Sequence, residues 1–403
     1  MSIAVRKGVF EVLFDAASMR RWNDQIRSVD FRELDKQAHK MVVAYVLGKF
    51  EESMRPGFPW MELIEGGVFE FIQRTTITDL RPELWREIES EEQTYRELND
   101  WILRTRREHI RCLGTEFRGR FRSYLASLAN GQASLAQQVL RAAHLYPTRW
   151  EFDILRRANP DGFDVRDINR RIDQRVQECS SLESYNRLME EPKVRDFIDL
   201  CAQLRFQLRW GGMHMVPQIS VLGHMLMVAI LAYLFSLQIG ACERRRYNNF
   251  FTGLFHDLPE ALTRDIVSPV KKSSPQMEQL VKHFEEKQMP KVYDLLPQEW
   301  TKEIRLFTRE EFSNKVCTDG EEWTTVRGHR IPKKYNRDEF SPRDGVLIKA
   351  IDNLAAYSEV VKAEENGVRH GQLDSAKAKI KHDLDARSDA CGIDFATLCR
   401  DLG

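Results

Sequence analysis

The run ISVLGHMLMVAILAYLFSLQI, residues 219–239, constrains the fold of this chain more than any other segment. Its length and apolar character would let it cross a bilayer as a helix. The following CERRRY would even serve as a basic anchor. Two features favour the centre of a large helical protein instead. His224 interrupts the run, and the next segment, NNFFTGLFHDLPE, is equally suited to a buried helix. A helix that is apolar all round is what such a core requires. The expectation is a buried core helix with no membrane partner.

Helical patterning dominates elsewhere. Stretches such as LAQQVLRAAHLY and LIKAIDNLAAYSEVVKAEE space Leu, Ala, Val and Ile at three and four residues. The best strand pattern is EEWTTVRGHRIPKKY at 321–335, which predicts a short hairpin inside a polar excursion over 313–345. The break Asn159-Pro160-Asp161-Gly162 opens a charge-rich stretch. Three regions follow: a helical N-terminal domain over 1–165, a linker over 166–190 and a second helical domain over 191–403. The fold class is all-α.

A loose repeat crosses that boundary. Arg21-Trp22 precedes His39, and Arg209-Trp210 precedes His224, each histidine opening an apolar helix. The arginine-to-histidine gaps differ, 18 residues against 15. The repeat is either coincidence or a duplication whose first copy has lost its chemistry, since VFEFIQRTT carries no His-Asp pair.

Composition narrows the function classes. Lys+Arg and Asp+Glu balance at 61 each, so no global field favours nucleic acid or an anionic membrane. Seven arginines between Arg104 and Arg122 are read as a solvated helix face rather than a polynucleotide surface. Seven scattered cysteines form no CxxC pair, which argues against a disulfide framework or zinc ribbon and fits a reducing cytoplasm.

The chemistry concentrates in GLFHDLPEALTRDIVSPVKK, residues 253–272. His256 and Asp257 are adjacent, and Glu260 stands four residues beyond His256, on one face if the helix continues. Two further polar residues are out of place. His224 lies in the apolar run, and Asp352 lies in VLIKAIDNLAAYSEV, where an unpaired buried charge is costly. One cation would satisfy His224, His256, Asp257 and Asp352 together. Imidazole and carboxylate ligands suit a single divalent Mn, Co, Zn, Fe, Ni or Mg ion.

The order H…HD…D in these four residues resembles the HD superfamily of metal-dependent phosphohydrolases. Arg209-Trp210, His224 and HDLPEALTRDIVSPVK resemble more narrowly its bacterial 5'-deoxynucleotidase branch. The resemblance implies an HD-type helical bundle in which those four residues hold the ion. It implies that Glu260 orients or deprotonates water, that Arg209 grips phosphate, and that Trp210 and Asp265 border the sugar. Asp265 is thereby both a catalytic and a substrate-binding candidate, while Lys271 is read as solvated. The expected activity is phosphate release from (deoxy)nucleoside 5'-monophosphates, small molecules and not nucleic acid, and analogy adds a homodimer. The alternatives are a triphosphohydrolase and a non-catalytic nucleotide-binding regulator. Cyclic-dinucleotide and guanosine-tetraphosphate chemistry fit less well, because no GYP follows the core and HDLPE lacks an adjacent Glu-Asp pair.

Overall fold

A computed structural model describes the chain except residues 1, 2, 79, 130–132, 265, 267, 272, 319, 321 and 328–330, and except the side chains of Ser268 and Pro269. The fold is all-α, and the strands among the described residues are only two or three residues long. The chain forms two compact units, Glu11–Ile198 and Asp199–Gly403, the second including the N-terminal residues up to Phe10. The expected linker at 166–190 is a correction. It is built mostly of two helices, Val165–Glu178 and Glu183–Glu190, which bury Ile172, Tyr185 and Leu188. Its polar composition hid an amphipathic pattern in which a few apolar residues suffice to dock each helix.

Three helices organise the first unit: α1 (Glu33–Met54), α2 (Trp60–Ile77) and α3 (Leu135–Ala158). Ser134 starts α3 with a capping box, accepting from Gln137 N while the Gln137 side chain accepts from Ser134 N. Along α1 nearly every side chain is buried, including Glu33, Lys36, His39 and Lys40. His39 packs edge-on against Tyr146 and Trp150, with ring centroids 5.9 and 5.6 Å away. Of the clustered arginines, Arg104, Arg107, Arg111 and Arg122 are exposed as expected. Arg118 and Arg120 are half-buried, and Arg106 is buried and donates to Asp15, to Thr76 and to the Thr75 carbonyl.

The second unit is built around α4 (Val221–Gln238), α5 (Glu243–Phe255) and α6 (Gly345–Glu365). The apolar run is α4; 89% of it is buried, by the two other helices in the main. Gly253 makes the α4–α5 crossing possible. A Cβ there would stand 2.8 Å from both Ala229 Cα and Ala229 N, closer than real contacts allow. Buried polar groups then fix the helices in register. Asn249 donates to Ser236 Oγ on α4 and accepts from Asp344 N at the head of α6, each at 2.9 Å.

The excursion before α6 contains a hairpin, but not where the sequence placed it. Lys315–Cys317 pairs antiparallel with Trp323–Thr325, so the Thr-Thr strand bonds backward rather than forward. Residues Ile331–Tyr335 form a helical turn, and 328–330 lie outside the described residues. The alternation in 321–335 was real only for its first half, and pairing was decided by the buried Val316 upstream. Lys315 also bridges to Arg343. The fully buried Arg343 guanidinium donates to the carbonyls of Leu306, Glu310 and Ser313, tying down the segment before the hairpin.

Gly253→Ala should destabilise the chain by about 1–3 kcal/mol, the usual effect of overpacking a close crossing. Gly119→Ala is the control, since a Cβ there meets nothing within 4 Å and the position is helical and exposed. Denaturant unfolding should show a loss for the first variant and none for the second.

Candidate metal centre

His224 projects from the first turn of α4, where Ser220 caps the helix by accepting from Gly223 N at 2.9 Å. His256 closes α5 and is 3% exposed. Asp257 follows it. One ligand atom from each of these three residues lies within 4.8 Å of the others. Asp352, on α6, joins through His224, its Oδ1 lying 3.0 Å from His224 Nε2. Three separate stretches of the chain thus bring His224, the His256–Asp257 pair and Asp352 together.

Hydrogen bonds select which nitrogen of each imidazole faces the centre. His256 Nδ1 donates to the Gly253 carbonyl at 2.9 Å. Its Nε2 is buried, has no hydrogen-bond partner, and lies 3.2 Å from Asp257 Oδ2. His224 Nδ1 donates to Glu359 Oε1 at 2.9 Å, which leaves Nε2 for the centre. Each imidazole is thus anchored at Nδ1 and turns Nε2 toward a carboxylate of the centre, the arrangement metal-binding histidines use. The residues present therefore fit a divalent ion.

The charges point the same way. Burial alone would raise the Asp257 and Asp352 pKa values. The His256 charge pulls Asp257 down, and Lys349 with His224 pulls Asp352 well below the carboxylate range. His256 feels burial in the opposite sense, yet Asp257 lifts it to about 9. The Lys349 ammonium lies 2.7 Å from Asp352 Oδ2 and offsets part of the charge of these carboxylates.

Glu260 requires a correction in its local geometry. α5 ends at Phe255, and the next residues turn through i to i+3 bonds, Leu258 N to Phe255 O and Glu260 N to Asp257 O, both 3.0 Å. Glu260 then opens a separate short helix, Glu260–Thr263. Pro259 has no N–H to continue an α-helical ladder, so a continuous face shared with His256 does not form. Glu260 is nevertheless 8% exposed, and its charge helps to hold the nearby Arg209 protonated. Lys271 is not simply solvated: it lies 3.2 Å from Glu285 and 3.9 Å from Glu260. Asp265 lies outside the described residues.

Residues 201–381, which hold all four of these ligand candidates, match the family model for the HD domain. The chain contains an HD domain. Its relatives include a 5'-deoxynucleotidase of Vibrio atlanticus, 23% identical over 48% of this chain and 87% of the relative. Proteins of the same name from Yersinia pseudotuberculosis and Yersinia pestis are 22% identical over 46% of this chain and 81% of their own length. The HD domain is related to that branch.

One residue of the HD domain went unnoticed in the sequence. Glu359, 3% exposed on α6, receives three donors: His224 Nδ1, Arg209 Nε at 3.3 Å and Trp210 Nε1 at 2.6 Å. Burial opposes its charge, but Arg209 and His224 hold its pKa at about 2. Arg209 in turn is kept fully charged against burial by Glu359, Asp352, Asp257 and Glu260, and its Nη1 lies 3.8 Å from Asp257 Oδ2. The available signal was spacing, because Glu359 stands seven residues after Asp352 and hence on the same face of α6.

Glu359→Gln removes the charge that orients His224 and Arg209 while keeping the side-chain size. Metal affinity of the full chain, measured by chelator competition, should fall roughly 10–100-fold with helix content unchanged.

Proposed function

We propose that the HD domain is a metal-dependent phosphomonoesterase that releases phosphate from (deoxy)nucleoside 5'-monophosphates. The observation that carries this reading is the convergence of His224, His256 and Asp257 within 4.8 Å, with the Arg209 guanidinium beside Asp257. His224, His256, Asp257 and Asp352 would hold one divalent ion. When bound, such an ion lowers the pKa of water and offsets charge on a phosphoryl group.

The chain's own residues supply the rest. Arg209 binds a phosphate oxygen through its planar fork, with its Nε held by Glu359. Trp210 is locked by the same carboxylate and presents a rigid indole wall to the sugar. Its backbone has a φ of 60°, a costly conformation that the hydrogen bond to Glu359 helps to hold. Glu260, largely buried at the end of the His256–Pro259 turn, takes the proton from the attacking water. Lys271 lies beside this base, 3.9 Å from Glu260 and 3.2 Å from Glu285. Asp265 keeps its assignment to the sugar. The relatives' name supplies the substrate class, a deoxynucleoside 5'-phosphate. Seven free thiols agree with a reducing cytoplasm as its place of work.

A panel of nucleoside mono- and triphosphates assayed with Mn, Co, Mg and Zn tests the reading. Inorganic phosphate should come from the monophosphates. Pyrophosphate or tripolyphosphate release would reassign the domain to triphosphate hydrolysis. Nucleotide binding without turnover under any metal would make it a binding protein.

Two variants separate the roles. Asp257→Ala should lose metal and activity together. Glu260→Ala should keep its metal by elemental analysis while kcat falls roughly 10²–10⁴-fold, the usual contribution of a general base.

A further inference from the structure

The first unit reproduces the local frame of the second. The bridge Arg20↔Arg32 has its counterpart in Leu208↔Ser220, and the bond Glu33 N to Met19 O (3.0 Å) in Val221 N to Gln207 O (2.8 Å). Each equivalence is a shift of 188 residues, residue 20 against 208 and residue 33 against 221. The same shift carries Arg21-Trp22 onto Arg209-Trp210. Both tryptophans have positive φ, 54° and 60°. Both pairs converge on one carboxylate oxygen. Trp22 Nε1 and Arg21 Nε each donate to Glu151 Oε2 at 2.9 Å, as Trp210 and Arg209 donate to Glu359.

This frame corrects the equivalence suggested by sequence. The shift carries Lys36, not His39, onto His224, the fourth residue of each helix. On α3, His144 precedes Glu151 by seven residues, as Asp352 precedes Glu359 on α6. The contact is kept with its chemistry replaced. Lys36 Nζ donates to His144 Nε2 at 2.7 Å where His224 Nε2 meets Asp352 Oδ1 at 3.0 Å.

The electrostatics are therefore inverted. In the HD domain, carboxylates surround the imidazoles and call for a cation. In the first unit, the strongest charges acting on His144 all belong to cations, Lys36, Lys40, Arg21 and Arg74, and burial and these charges together hold His144 well below its usual pKa. Lys36 is 2% exposed, and burial and Arg21 depress it too, against the pull of Glu33 and Glu151. Lys36 Nζ faces the His144 ring, while the carboxylates of Glu33 and Glu151 are engaged by Arg21 at 2.8 and 2.9 Å, so an oxyanion would give Lys36 the charged partner this geometry denies it. Trp22 and His144 are only partly buried, so the rim reaches solvent.

We propose that the first unit is a second copy of the HD scaffold whose metal seat has become an anion seat, in which Lys36, His144 and Arg21 bind a phosphate group directly, without a metal. The assignment of the Arg-Trp pair to a phosphate ester rests on the proposed function of the HD domain. The Lys36–His144 geometry does not.

Calorimetric titration of the full metal-loaded chain with inorganic phosphate, before and after EDTA, tests this. One phosphate site per chain should survive EDTA. Lys36→Met should weaken that site at least tenfold, while metal content and monophosphate hydrolysis stay within twofold. His144→Asp places a carboxylate beside Lys36, neutralising the seat from within, and should weaken it equally without loss of melting temperature. The absence of an EDTA-resistant site, or a site indifferent to both substitutions, overturns the proposal. Failure of the HD domain to hydrolyse monophosphates would sink the reading of that domain while leaving the EDTA-resistant titration to decide this one.

Discussion

A carboxylate buried between helices must be matched by donors, and Glu359 is where that requirement shapes the second unit. An unpaired anion at that depth would be prohibitive. Arg209, Trp210 and His224 all turn toward it, and in doing so each is aimed. His224 presents its other nitrogen to the centre, and the strained backbone at Trp210 is held in place. The geometry at the centre thus depends on a residue that binds nothing there itself. Gly253 has a comparable double role, since its missing side chain lets α4 and α5 approach while its carbonyl fixes the His256 ring.

What the sequence disclosed, it disclosed through anomaly. His224 and Asp352 stood out because polar groups are rare on apolar helices, and the structure brings them together with His256 and Asp257. Glu359 escaped because it lies near the charged end of its helix, where a carboxylate looks solvated, although its spacing from Asp352 places both on one face. The His256–Glu260 face was misjudged because periodicity was extended through Pro259. The helices at 166–190 were missed because a helix docked by few apolar residues resembles a polar linker in composition.

The two units show how little chemistry is fixed by a helical frame. The same turn, the same Arg-Trp pair and the same carboxylate recur, with a lysine and a histidine in one unit where the other has a histidine and an aspartate. Two side chains on facing helices differ, and a lysine–imidazole contact stands where the other unit has an imidazole–carboxylate one. Sequence comparison aligned on histidines alone misses this, because the residue in the equivalent position is no longer a histidine.

Arg343 gives the HD domain a different kind of freedom. Its guanidinium gathers carbonyls from the segment before the hairpin, and the Lys315–Arg343 bridge draws both ends of the excursion together at its neck. Beyond that neck, Asn336 and Asp338 bond back to Cys242, Arg244 and Arg245 at the head of α5, so the excursion has a second fixed point. Changes of length between these two fixed points can therefore be absorbed locally, with no displacement of the helix that carries Asp352.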